Sequence, residues 1–226
     1  MYKRQLLLFF VGIKDDIIGT APVKKLVAHI LVGMILVLMA ELRLTGFHGI
    51  FGIHEVHYWG RVFLSLFTYI VVVNSFNLID GVDGLAGGIG FIASSAFGAW
   101  FLLVGDDALA CLAFALSGSL LAFLIFNFSP AKLFMGDSGS LTIGVILCFL
   151  ALKLVEYDQT MLDEFTGSIS RPVLALAIIC YPLVDTLRIF VYRSLKGLSP
   201  FSADRNHIHH KLMDLGLGHR GTVACI

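Results

Sequence analysis

Uninterrupted apolar runs dominate the chain, in place of the alternation of a half-buried strand or the stripe of an amphipathic helix. Six of them, near 26–44, 61–79, 85–104, 108–126, 139–155 and 172–192, approach the ~20 residues that a helix needs to cross a hydrocarbon core. Each predicts a membrane-spanning helix, so the expected fold is all-α: a polytopic transmembrane helical bundle whose loops carry the polar side chains. A further apolar piece, 5–13, is too short to cross. With no repeat of about 20–50 residues and no low-complexity linker, 1–226 reads as a single integral membrane domain. The short opening run and the lack of an apolar helix after His219 predict a domain truncated at both ends. Residues 1–5 back-translate to a sequence resembling a transposon end and are set aside from the fold.

Composition agrees. At 58% hydrophobic and 14% charged, with a mean hydropathy of +0.88, the chain lies outside the range of soluble globular domains and of disordered or collagen-like chains. Sixteen Lys and Arg balance sixteen Asp and Glu, leaving no net charge to neutralise a nucleic-acid backbone, so no nucleic-acid partner is expected. Cys111, Cys148, Cys180 and Cys225 lack paired spacing and read as packing residues.

Alternating the six spans puts the segments around Asp15, Asp80, Asp137 and His207 on one side of the membrane. That side carries ten cations: Lys14, Lys24, Lys25, Lys132, Arg188, Arg193, Lys196, Arg205, Lys211 and Arg220. The other side has Arg43, Arg61, Lys153 and Arg171, so the excess predicts that the polar motifs face the cytoplasm.

Four clusters on that side could do chemistry. Asp15 and Asp16 are adjacent carboxylates, whose repulsion of about 3 kcal/mol at ~5 Å favours a bound cation or a raised pKa, unless both simply face water. Asn74, Asn77, Asp80 and Asp83 follow at steps of three where a purely apolar span ends, with Gly81 and Gly84 inviting the helix to unwind. Each Asp would cost ~2.5–3.5 kcal/mol in lipid, so these groups must face a watery cavity or a ligand, or cap the helix at the interface. Asn127, Lys132, Asp137 and Ser138 form the third cluster, where Pro130 stops a helix and Gly136 and Gly139 let backbone approach a ligand. Asp137 there is a metal ligand, an N-cap, or both. In the fourth, His207, His209 and His210 stand beside Arg205 and Lys211, and these cations favour a diphosphate over zinc. Elsewhere the signals are weak. His48, His54, Glu55 and His57 read as interfacial, and Asp106 with Asp107 as a hydrated turn on the opposite side. Asp185 and Arg188 read as an intrahelical ion pair.

Taken in order, Asp15-Asp16, Asn74-x-x-Asn77-x-x-Asp80-Gly-x-Asp83-Gly, Asn127-x-x-Pro-Ala-Lys132-x-Phe-Met-Gly-Asp137 and His207-Ile-His209-His210 resemble the polyprenyl-phosphate N-acetylhexosamine-1-phosphate transferases. These are integral membrane enzymes that begin bacterial cell-surface glycan assembly. The likeness covers 12–220, and the His-Ile-His-His form resembles the branch using UDP-N-acetylglucosamine. It implies transfer of a sugar 1-phosphate from a UDP-N-acetylhexosamine to undecaprenyl phosphate, releasing UMP, at the cytoplasmic face of the bacterial inner membrane. It also implies magnesium, or manganese in its place, held by Asn77 and Asp137. Asp15 and Asp16 would then orient the lipid phosphate, while Asp80 and Asp83 shape the site and bind the nucleotide sugar. His207, His209 and His210 would hold the diphosphate, with Asn74, Asn127, Lys132 and Arg205 as further substrate contacts. The expected partners are the two substrates, the lipid bilayer and, as a homodimer, a second copy of the chain. The alternatives are a phospho-N-acetylmuramoyl-pentapeptide transferase-like enzyme and a non-catalytic transporter, for which the charges should lie mid-span. A CDP-alcohol phosphotransferase is disfavoured because Asp83-Gly-Leu-Ala86 runs into Gly87 rather than Arg.

Overall fold

The structure, a computed structural model, describes residues 22–39, 42–46, 55–197 and 207–226. Asp15, Asp16, Arg205 and His54 fall outside that set, as does the side chain of His210.

Among the described residues every regular element is helical: α1 (Pro22–Met34, continued by a π-helical turn Ile35–Met39), α2 (Tyr58–Leu78), α3 (Leu85–Leu103), α4 (Asp107–Asn127), α5 (Gly136–Val155), α6 (Arg171–Ile178), α7 (Cys180–Leu195), α8 (Ile208–Asp214) and α9 (Gly218–Cys225), with single short turns between α5 and α6. Helices α2 to α5 are each long and apolar enough to cross a membrane, and α6 with α7 makes a fifth such unit. The protein is therefore a multi-pass helical membrane protein. Apolar side chains such as Phe63, Phe67, Leu121 and Ile125 project outward, which lipid tolerates and water would not.

Two expected spans differ from the observed ones. The run 26–44 does not form one helix, because its apolar helical part, Val27–Met39, is shorter than a span. Beyond it, side chains from other helices take over backbone amides: Leu44 N–H donates to Ser65 Oγ (2.8 Å) and Thr45 N–H to Glu156 Oε1 (2.8 Å). The run 172–192 is broken between α6 and α7 by a 79° bend. Pro182 explains the place, since its ring displaces the carbonyl four residues back, that of Ile178, and it has no N–H to continue the ladder.

Helix α5 is the hub. Apolar all round, it is buried on most of its circumference, with Leu141, Leu147, Leu150 and Leu154 fully enclosed. It packs against α2, α3 and α6, while α3 and α4 pair along their lengths. Of the cysteines read as packing residues only Cys148, on α5, is buried; Cys111, Cys180 and Cys225 lie on the surface. Asp106 turns out to be an N-cap, accepting Leu109 N–H at 3.0 Å, which accounts for the acidic pair at that turn. In the loop between α5 and α6, Asp158 and Asp163 cap short turns. The Thr160 amide and hydroxyl hold the Asp158 carboxyl below the usual range, and the Thr166 hydroxyl and amide do the same for Asp163.

Candidate active site

The site begins with one close helix contact. A Cβ built on Gly144 of α5 would sit 2.9 Å from Val73 Cα and 3.2 Å from Val73 O on α2, so the two backbones touch where only glycine fits. The helices run antiparallel. One turn further along α2 from Val73 is Asn77, and one and two turns back along α5 from Gly144 are Ser140 and Asp137. The register set at Gly144 therefore delivers Asn77 to both: its Nδ2 donates to Asp137 Oδ1 (2.7 Å) and to Ser140 Oγ (2.9 Å). A carboxylate acceptor makes the first bond charge-assisted, on the order of 1.5–3 kcal/mol.

Asp137 lies inside the first turn of α5, whose N-cap position is Met135 with no side-chain cap bond, so it is not the N-cap. Its carboxylate and the Asn77 amide oxygen are hard donors of the kind magnesium takes, and would be the groups to hold such an ion here. Among the described residues no three His, Cys, Asp or Glu side chains gather into a protein-only metal cage. A magnesium site built on one carboxylate does not require one.

Beyond Asn77 the chain leaves α2 through a turn that ends at Gly84, whose φ of +84° suits glycine alone and starts α3. Asp80 stands in this turn, half-buried, its N–H on Asn77 O (3.4 Å). Asp83 Oδ2 accepts Ala131 N–H (3.2 Å), tying the turn to the loop between α4 and α5. Asn127 is a second tie. It is 4% exposed, its Oδ1 accepts Gly84 N–H (2.9 Å) and its Nδ2 donates to Leu133 O (2.9 Å). Both ends of its amide thus serve backbone, which makes Asn127 a brace between two motif loops. Asn74 likewise turns back on its own helix, Nδ2 to Ile70 O (2.7 Å), while Lys132 points outward, exposed.

The histidine segment closes over the same end of the bundle. His209 is fully buried with Nε2 against Gly81, where an added Cβ would come within 2.9 Å, and its ring stacks on His207 at 5.3 Å. His207 is held in turn from α7, its Nδ1 2.7 Å from Asp185 Oδ2. Asp185 also accepts Arg188 Nη2 (3.2 Å), so the expected intrahelical pair exists but is a minor part of what Asp185 does. From α9, His219 Nδ1 accepts Asp83 N–H (3.2 Å) and Arg220 Nε donates to Ser129 O (2.6 Å).

Asn77, Asp80, Asp83, Asp137, His207 and His209 are thus gathered at one end of the bundle, each linked through the contacts above; Asp15, Asp16, Arg205 and the His210 side chain lie outside the described residues. Sequence reasoning missed Ser140, Asp185, His219 and Arg220 as parts of this network. A signal existed for Asp185 alone, because a carboxylate inside a span demands more partners than one i+3 arginine.

Residues 3–155 match the model of glycosyl transferase family 4. The chain is 34% identical over 224 residues to the undecaprenyl-phosphate alpha-N-acetylglucosaminyl 1-phosphate transferase of Escherichia coli K12, covering 97% of this chain and 59% of that protein. The protein of the same name from Salmonella typhi is 36% identical over 224 residues, with the same coverage. The decaprenyl-phosphate N-acetylglucosaminephosphotransferase of Mycolicibacterium smegmatis is 31% identical over 233 residues, covering 97% of this chain and 57% of that protein. The chain therefore spans somewhat under two thirds of the length of these relatives.

Proposed function

The chain belongs to glycosyl transferase family 4, and from that premise we propose that it transfers N-acetylglucosamine 1-phosphate from UDP-N-acetylglucosamine to undecaprenyl phosphate. A phosphate oxygen of the lipid attacks the sugar-proximal phosphorus, a new P–O bond forms, and the bond to UMP breaks with UMP as leaving group. The relatives' names support both the lipid and the sugar, and the cation excess on the motif side supports a cytoplasmic site.

The observation that carries the proposal is the Asn77–Asp137 contact at 2.7 Å. It holds the Asp137 carboxylate and the Asn77 side chain together between the turn after α2 and the loop before α5. Bound magnesium, or manganese, would neutralise charge on the diphosphate oxygens. Asp137 and Asn77 hold that position; Ser140 keeps the Asn77 amide aimed. Asp83 and Asn127 keep the two loops at a fixed separation, so the diphosphate meets a preformed site rather than one assembled at a cost in entropy. His207, on the opposing helix start, faces the diphosphate, and Asp15 and Asp16 orient the lipid phosphate.

The test is Asp137→Asn in the full-length protein in membranes, followed by UMP release from UDP-N-acetylglucosamine with undecaprenyl phosphate and saturating magnesium. Asn preserves shape and removes charge, so turnover should fall by about a thousandfold, or ~4 kcal/mol of transition-state stabilisation, with insertion unchanged. Turnover within about tenfold of the parent would reject the metal role, because loss of a neutral hydrogen bond costs only ~1 kcal/mol. UDP-muramoyl-pentapeptide offered in parallel should not be consumed.

A further inference from the structure

Helix α9 holds two of the motif loops at once, and the reaction proposed above gives it no part. His219, Thr222 and Val223 follow at spacings of three and four and so share one face of α9. Thr222 is fully buried and Val223 packs against the hydrophobic core, so this face is the docked one. From it, His219 Nδ1 accepts Asp83 N–H at 3.2 Å, across 136 residues of chain. Its neighbour Arg220 donates Nε–H to Ser129 O at 2.6 Å, across 91 residues. Asp83 Oδ2 in turn accepts Ala131 N–H at 3.2 Å, so the turn after α2, the loop before α5 and α9 close a triangle.

The direction of the His219 contact is fixed by its chemistry. A backbone amide only donates, so Nδ1 supplies the lone pair. Asp83 Oδ2 also lies 3.5 Å from Nδ1, which is the outer limit of a hydrogen bond, and it is already engaged by Ala131. The His219 side chain is 41% exposed and the Arg220 contact lies at the surface. Water has access to both places, so satisfying the two backbone groups does not by itself call for these side chains. What they add is position: consecutive residues on one docked helix cannot move apart, and the two loops they hold cannot either.

We propose that His219 and Arg220 are positioning residues of this site: from one turn of α9 they set the Asp83 turn against the loop before α5, touching neither substrate nor metal. The inference rests on the reading that these two loops bound the diphosphate site. It adds that their separation is fixed from α9, through the lone pair of His219 Nδ1 and the Nε–H of Arg220.

Two measurements on the full-length protein in membranes test it. The first is kinetic, with UDP-N-acetylglucosamine and undecaprenyl phosphate. Displacing a site wall by a fraction of an ångström to 1 Å costs up to about a hundredfold, so His219→Ala and Arg220→Ala should each lower kcat/KM by about 10–100-fold. The double variant should lose no more than about threefold beyond the worse single one, because either change already opens the triangle. His219→Asn carries an oxygen acceptor where Nδ1 was and should stay within about threefold of the parent, whereas the amide of His219→Gln reaches the place of Nε2 and should not rescue. Rescue by Gln and not by Asn would show that the ring acts through Nε2, and would overturn the proposal. So would fully multiplicative losses, a His219→Ala variant that unfolds at lower temperature but keeps parent kcat/KM, or a His219→Asn variant that fails to insert. The second measurement does not depend on the reaction: amide exchange in 80–84, which should be about five- to tenfold faster in His219→Ala and unchanged in His219→Asn. Equal exchange in His219→Ala and the parent overturns the proposal. A parent protein that releases no UMP but shows this exchange pattern would sink the proposed reaction while leaving the α9 contacts as the device that holds the two loops.

Discussion

Replacing Gly144 with alanine puts a methyl carbon 2.9 Å from Val73 Cα, 3.2 Å from Val73 O and 3.4 Å from Phe76 Cβ. Carbon atoms rest at about 3.5–4.0 Å, so α2 and α5 must part by ~0.6–1 Å. The obstacle is backbone, which cannot rotate away as a side-chain tip can. Carried rigidly along one turn, that separation stretches the 2.7 Å Asn77–Asp137 bond to about 3.3–3.7 Å, beyond useful hydrogen-bond length. Overpacking costs about 1–3 kcal/mol and the charge-assisted bond another ~1.5–3, offset by ~1 kcal/mol from the better helix propensity of alanine. The expected net loss is about 1.5–5 kcal/mol, together with misplaced ligands that should slow UMP release by up to a hundredfold or so. Thermal unfolding in detergent and the UMP assay measure the two effects. The control is Gly118→Ala on α4, where an added Cβ meets nothing within 4 Å. Gly118→Ala should be at least as stable as the parent and fully active. If Gly144→Ala matched it in both assays, the argument that this contact sets the register of the site would be refuted.

Asn127→Ala should destabilise the protein by about 2–5 kcal/mol in the same unfolding assay, because it strands the Gly84 amide and the Leu133 carbonyl together; an effect under ~1 kcal/mol would show that the brace is dispensable. The caps at Asp158 and Asp163 predict a pH dependence. Both carboxyls are depressed in the folded protein, so their contribution is present above the ordinary carboxylate value of about 4 and is lost as pH falls through the lower folded value. Amide exchange in 158–168 should therefore accelerate on acidification, while Asp158→Asn with Asp163→Asn, which retain an acceptor, should remove that dependence; an unchanged acid response in the double variant would refute it.

The helical class, four of the six expected spans and the end of the bundle where the polar motifs gather were legible along the chain, since hydropathy and the sites where it is interrupted are local properties. Asn77, Asp80, Asp83 and Asp137 stand out because a polar group at the end of an apolar run has few innocent explanations. Even the break between α6 and α7 had a local cause in Pro182, although an apolar run hides a bend that leaves its composition unchanged. What no local pattern holds is pairing. Asn77 meets Asp137 across 60 residues because Gly144 lets two backbones touch, and a glycine in a span looks the same whether it faces a neighbouring helix or open space, as Gly118 does. That Asn127 ties two loops through both ends of its amide is likewise invisible in its motif. Asp185, paired on paper with Arg188 three residues away, spends its shortest contact on His207. Helix propensity and hydropathy act over a few residues, so sequence determines which segments are helices and which sit in lipid. Side-chain packing between distant helices sets register, and only register decides which polar groups come within hydrogen-bond reach.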